Sequence, residues 1–166
     1  MGIELEDLRV LQSAESVADE VWKFVVSWDK FARDVVGGQL ARATDSIGAN
    51  IAESFGWFHY GEKLKFLYYA RGSLFETKYW LNRSSKRNLI SDEQAQHYAD
   101  KLTVIARQLN AFAGSIISQR KDTSNKIIRE TPADYELYQP INETIPEELF
   151  SQSDIDWIST VPQTEP

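Results

Sequence analysis

The 166-residue chain contains no cysteine. That excludes disulfides and thiolate metal sites, and it suits a reducing compartment. Residues 1–130 contain no proline, and residues 131–166 contain no glycine, lysine or arginine. The first absence leaves long helices uninterrupted. The second marks off a segment of different character. No apolar run approaches the roughly 20 residues that cross a bilayer. The opening MGIELEDLRV is acidic and lacks the basic-then-apolar pattern of an export signal. A cytoplasmic protein with no membrane partner is expected. No segment alternates convincingly as a strand would.

Catalytic constellations are also missing. The only histidines are His59 and His97. A di-iron bundle needs several glutamates and two Glu-x-x-His pairs. Here His59 begins the reversed order, His-x-x-Glu, and His97 follows Glu93 by four residues. There is no Gly-x-Ser-x-Gly, P-loop or dinucleotide glycine pattern. The expectation is a non-enzyme with no metal and no cofactor.

What is present falls into two parts. Residues 1–130 hold all 18 Lys and Arg and 17 of the 25 Asp and Glu, a net charge of +1. Residues 131–166 hold the other eight acids and all five prolines, a net charge of −8.

The first part reads as helices. Leu8, Leu11, Ala14, Ala18, Val21, Val25, Trp28 and Ala32 step by three or four residues, the period of one apolar helical face. Glu4, Glu6 and Asp7 at its start and Lys30 and Arg33 at its end suit the helix dipole. Gly37-Gly38 predicts its stop. A second helix is expected over about 39–55 and a third over about 62–84, with Gly56 and Gly61 bracketing a turn. Ser91 and Gln94 have capping-box spacing. They start a fourth helix carrying Ala95, Tyr98, Leu102, Ile105, Leu109, Phe112 and Ile116. The predicted fold is all-α: an up-down-up-down four-helix bundle over 1–121, a basic linker over 122–130, and an acidic, proline-containing C-terminal tail over 131–166, largely irregular or docking.

Two features go beyond a plain bundle. The third helix carries one stripe of Leu64, Leu67, Leu74 and Leu81 and a second of Phe66, Tyr69, Ala70, Ser73, Thr77 and Trp80. Burial on two sides implies a subunit interface; the alternative is a wide core face with exposed aromatics. In the second helix, Ser46, Asn50 and Glu53 share a face, and Gly72, Ser73 and Glu76 form a matching group in the third. Buried polar groups need partners. These six residues are read as determinants of packing and oligomer geometry, with Asn50 and Glu53 reaching the Arg71–Glu76 region or the end of another helix.

The same residues carry a resemblance. RATDSIGANIAESFG (Arg42–Gly56) followed by FLYYARGSLFET (Phe66–Thr77) resembles the four-helix-bundle family of 23S rRNA intervening-sequence proteins. These are encoded within insertions in some bacterial large-subunit rRNA genes. Arg42, Ser46, Ile47, Asn50, Ile51, Ala52, Glu53 and Gly56 fit the first motif, and Phe66, Leu67, Ala70, Gly72, Ser73 and Glu76 the second. Ser54 stands where the family pattern has glycine, and Trp57-Phe58 where a basic residue is common. The resemblance covers about 5–121. It implies a non-enzymatic protein and a ring-like homopentamer. It also touches a related branch, the accessory variability protein of diversity-generating retroelements, a basic bundle that binds nucleic acid and a reverse transcriptase.

Basic clusters follow the third helix (Arg83, Lys86, Arg87) and the fourth (Arg120, Lys121, Lys126, Arg129). They form a candidate nucleic-acid rim, or they simply answer the helix dipoles. In the tail, Tyr135, Tyr138, Leu149, Phe150, Ile155, Trp157 and Ile158 are set among acids. A merely solvating tail has few such residues. They are candidate partner-binding residues, for the body itself, a neighbouring subunit or another protein. A short helix is expected to start near Thr144. The functional expectation is an oligomeric scaffold or adaptor that recruits a protein partner. The alternative is a nucleic-acid-binding accessory factor whose acidic tail masks basic rims.

Overall fold

The computed structural model describes residues 4–127 and 148–162, with the side chains of 122–127 excepted. Five helices account for most of them: α1 (Arg9–Val25), α2 (Gly38–Gly56), α3 (Tyr60–Lys86), α4 (Asp92–Ile127) and α5 (Gln152–Ser159). There is no strand among the described residues. The fold is all-α.

Helix α1 ends earlier than its apolar period suggests. The chain turns at 26–29, where Trp28 N–H bonds the Val25 carbonyl. Asp29 then caps a new start by accepting from Ala32 N–H at 3.0 Å. From Lys30 the backbone stays helical through a π-type stretch, Arg33–Gly37, directly into α2. Gly37-Gly38 therefore lies inside helical structure and is not a stop. The physical reason is proximity. A Cβ on Gly37 would stand 2.6 Å from Val25 Cγ1 and 3.4 Å from Trp28 Cε3. The glycine admits the end of α1 against the widened turn; it does not supply a left-handed cap.

The other boundaries follow local chemistry. Asn88 adopts φ 56°, in the left-handed region. Leu89 N–H bonds the Ser84 carbonyl and Asn88 N–H bonds the Ser85 carbonyl, both at 2.9 Å. Those two bonds make a Schellman stop for α3, with asparagine in the usual glycine position. Three residues later Ser91 Oγ accepts from Gln94 N–H at 3.1 Å, and Gln94 Oε1 accepts from Ser91 N–H at 3.0 Å. The expected capping box is there.

Helix α1 packs on α2 and α4, and α3 packs on α2 and α4, so the four long helices touch in a closed cycle. Leu11, Val21, Leu40, Ile47, Ile51, Leu67, Leu74, Leu102, Ile105 and Leu109 fill the shared core. Four buried hydroxyls are satisfied within their own helices: Thr44, Thr77, Ser84 and Thr103 each donate to the carbonyl four residues back. Glu20 ties α1 to α4 through Lys101 and His97. Burial pushes its carboxyl upward, but those partners and Ser16 outweigh that and hold it below the ordinary range.

Helix α4 runs on to Ile127, so it continues through the first part of 122–130. The rest of that segment, and 131–147, lies outside the described residues. Residues 148–162 fold back onto α3 and α4. Their helix starts at Gln152; Thr144, where a short helix is expected to start, lies outside the described residues. Ser151 caps it and Asp154 completes a reciprocal capping box.

Candidate functional site

Asn50 lies half-buried at the α2–α3 boundary, one turn after Ser46. Its amide donates to the Ser46 carbonyl at 2.8 Å and to Ser73 Oγ at 3.3 Å. Ser73 Oγ in turn donates to the Tyr69 carbonyl at 3.1 Å. The polar stripe thus contains one cross-helix link, from Asn50 to Ser73. Glu53 is exposed and takes no part in it. Glu76 accepts a long bond from Trp80 Nε1 on its own helix. A Cβ on Gly72 would meet nothing within 4 Å, so among the described residues no group makes the close approach that would explain a mid-helix glycine.

Ser54 is fully buried and donates to the Lys63 carbonyl at 2.8 Å. It pins the end of α2 to the first turn of α3 across the intervening turn.

The second stripe of α3 divides: Ala70 and Thr77 are fully buried, Phe66, Ser73 and Trp80 are half-buried, and Tyr69 is exposed. Trp57 stacks on Phe66 at 5.8 Å, and Phe66 meets Tyr69 edge-on at 5.5 Å. Trp57, Tyr69 and Tyr79 are about half exposed, and Phe58 is 90% exposed. A separate apolar group, Trp22, Val26, Phe31 and Val35, is exposed around the turn that leads into α2. The first group begins at Trp57, just past the C-terminal end of α2, and the second lies in the chain that leads into its N-terminal end.

The basic residues divide. Lys86 and Arg87 are exposed and Arg83 half-buried at the end of α3. Arg120 is half-buried and Lys121 exposed on α4. The Lys126 side chain and Arg129 lie outside the described residues.

The tail residues are brought together in a groove between α3 and α4. Leu149, Phe150, Ile155 and Ile158 are all buried. Trp157 is partly exposed but packs on Phe75 at 5.4 Å. Tyr135 and Tyr138 lie outside the described residues. Asn110 holds both backbone groups of Phe150: its amide donates to the carbonyl and its Oδ1 accepts from the N–H, each at 2.8 Å. Arg71 donates to the Leu149 carbonyl and pairs with Asp154 at 3.3 Å. Its guanidinium also lies 4.6 Å from the Phe75 ring centre and 5.5 Å from that of Phe150. Partial burial pushes the Asp154 carboxyl upward, but Ser151 and Arg71 outweigh that and hold it below its ordinary range.

Sequence reasoning did not find Phe75, Asn110 or Gln96 as the receptors of this segment. One signal was available: Asn110 and Arg71 are polar residues beside apolar stripes, as Asn50 is. It also missed Lys78, which is 1% exposed and whose ammonium is pushed down to about 8 by burial. Among the described residues, no three potential ligands gather as a metal site, and no helix is long and apolar enough to cross a membrane.

No curated protein matches the chain. Residues 6–111 match the family model of the 23S rRNA-intervening sequence protein. That region contains both motifs, the Asn50–Ser73 link and the groove residues Arg71, Phe75, Gln96 and Asn110, while the docked segment lies beyond it. The chain belongs to the 23S rRNA-intervening sequence protein family.

Proposed function

We propose that the protein is a non-enzymatic, cytoplasmic, homo-oligomeric scaffold, a four-helix bundle that acts by binding and recruits a protein partner. The resemblance implies a pentamer. The observation that carries the reading is the aromatic strip in which exposed Trp57 and Tyr69 are joined through half-buried Phe66, together with the second apolar group at Trp22, Phe31 and Val35. Contiguous exposed apolar surface marks an interaction site. A closed ring of more than two copies needs two different patches that fit each other, one from each neighbour. Two such groups at the two ends of α2 meet that requirement. Gly72 and Ser73, on the same helix as the strip, leave room for a neighbour's approach. Asn50 and Ser73 fix the α2–α3 register behind it.

Light scattering tests this directly. The parent should give a mass several times 19.0 kDa. Tyr69→Lys and Phe31→Lys should each reduce it toward one chain while helical circular dichroism is retained. A parent that stays monomeric at tens of micromolar would refute the scaffold reading.

A second reading draws on Arg83, Lys86 and Arg87 standing near the half-exposed Tyr79, a cationic end with a stacking group. In it the protein is a nucleic-acid accessory factor, and the acidic tail masks the rim. Titration of labelled RNA and DNA at low and moderate salt separates the two. Binding that weakens steeply with salt favours the accessory factor.

A further inference from the structure

The groove between α3 and α4 is not equally fitted along its length. At one end Asn110 holds both backbone groups of Phe150, and Arg71 takes the Leu149 carbonyl and the Asp154 carboxylate. At the other end Gln96 donates to the Ser159 carbonyl at 3.3 Å. The segment therefore runs back along α4, from the level of Asn110 to that of Gln96.

Lys78 belongs to the stretch between those ends. It follows Arg71 by seven residues and Phe75 by three, so the three share one face of α3. Arg71 and Phe75 both meet the segment, at Asp154 and at Phe150 and Trp157. On α4, which runs the other way, Thr103 precedes Asn110 by the same seven residues. Lys78 and Thr103 thus stand at one level, two turns or about 10 Å from the level of Arg71 and Asn110. Both are buried.

Nothing in the segment answers Lys78. It forms no salt bridge among the described residues, and burial alone lowers its ammonium, to about 8. It is still mostly protonated at pH 7. The two carboxylates of the segment are engaged elsewhere: Asp154 by Ser151 and Arg71, Asp156 by Gln152 Nε2 at 2.8 Å. One turn beyond Lys78, Asn82 Oδ1 is also buried with no hydrogen-bond partner among the described residues. A buried cation without a counter-charge is costly, and a well-placed carboxylate offsets that cost. The chain's own segment fits the Asn110 end and leaves a cation unanswered toward the Gln96 end.

We propose that the α3–α4 groove is a receptor for a segment of a partner protein, one with an aromatic anchor at the Asn110 end and a carboxylate that reaches Lys78, and that Leu149–Val161 is a built-in, weaker occupant which that segment displaces. Charge complementarity selects the occupant: it has Asp or Glu where this chain has Ile158 or Val161, buried aliphatic residues toward the Gln96 end. The proposal rests on the partner-recruiting half of the reading above and gives it a site. It does not require the oligomer.

The probes are peptides of residues 148–162 closed by a C-terminal amide, so that no terminal carboxylate substitutes for the missing one. One has the parent sequence, one carries Ile158→Glu and one Val161→Glu. Fluorescein-labelled, they are titrated at pH 7 by anisotropy against full-length protein carrying Phe150→Ser, which weakens the resident occupant. At least one acidic peptide should bind about tenfold tighter than the parent peptide, or better. That preference should vanish when Lys78→Met is added to the protein. In the parent protein, the same unlabelled peptide should speed hydrogen exchange of the α5 amides. This second measurement stands even if Phe150→Ser fails to fold. Acidic peptides that bind no tighter than the parent peptide overturn the proposal. So does a preference that survives Lys78→Met, or binding that leaves α5 exchange unchanged. Light scattering on the same samples keeps the two readings apart. A monomer with the Lys78-dependent preference defeats the oligomer and retains the receptor. An oligomer without that preference defeats the receptor alone.

Discussion

Gly37 offers the sharpest check on the packing. A methyl group there would lie 2.6 Å from Val25 Cγ1 and 3.4 Å from Trp28 Cε3. Carbon atoms rest at about 3.5–4.0 Å, so about 1 Å must be absorbed at the first contact. Val25 is 3% exposed and branched at Cβ, so its rotamer has little freedom to yield. Overpacking of this kind costs about 1–3 kcal/mol. Helix propensity acts the other way, favouring Ala over Gly by about 1 kcal/mol. Gly114 separates the two effects. It lies inside α4, and a Cβ there would meet nothing within 4 Å among the described residues. Gly114→Ala should therefore show the propensity gain alone. Gly37→Ala should fall below Gly114→Ala by about 1–3 kcal/mol, a gap of roughly 2–12 °C in Tm for a chain of this size. The assay is urea unfolding followed by circular dichroism at one chain concentration. Val25→Ala in the Gly37→Ala background should recover part of the loss, with a coupling energy of about 1 kcal/mol or more. If Gly37→Ala is as stable as Gly114→Ala, the close approach of Gly37 to Val25 is not real.

Two further predictions concern buried polar groups. Lys78 is 1% exposed with its ammonium lowered to about 8 from 10.5 by burial. Between those values the unfolded chain binds the extra proton, so stability should rise with pH from about 8, by up to about 3 kcal/mol across the full window. Urea midpoints at pH 7, 8.5 and 9.5 should climb for the parent and stay flat for Lys78→Met; a flat parent profile would count against a buried ammonium. Asn110→Ala removes the partners of both Phe150 backbone groups, at a cost of about 1–3 kcal/mol. Amides of α5 should then exchange about tenfold faster or more, with a smaller effect on the four long helices, and unchanged exchange in α5 would refute the assigned role of Asn110.

Much of the architecture was legible along the chain because it rests on local periodicity and local caps. The apolar steps of α1 and α4 follow the helical repeat, and Ser91 with Gln94 forms its capping box from residues three apart. Both are short-range interactions that the sequence writes out directly. The α1–α2 boundary was not legible, because Gly37 is a steric accommodation. A glycine pair reads as a stop unless the side chain it faces is known, and here that side chain is Val25, twelve residues earlier. The polar stripe was half legible. Spacing put Asn50 and Glu53 on one face, but only the angle between α2 and α3 decided that Asn50 meets Ser73 while Glu53 faces water.

The sequence by itself determined the class of structure, the change of character near residue 131 and the family motifs, all of which depend on residue types at fixed short separations. The tertiary structure alone decided that Ser54 bonds the Lys63 carbonyl, that Lys78 is buried, and that Phe150 is held by Asn110 and Arg71 from 40 and 79 residues away. Those pairings depend on how helices are set against one another. That setting is a sum over the whole core, and no local stretch of the chain contains it.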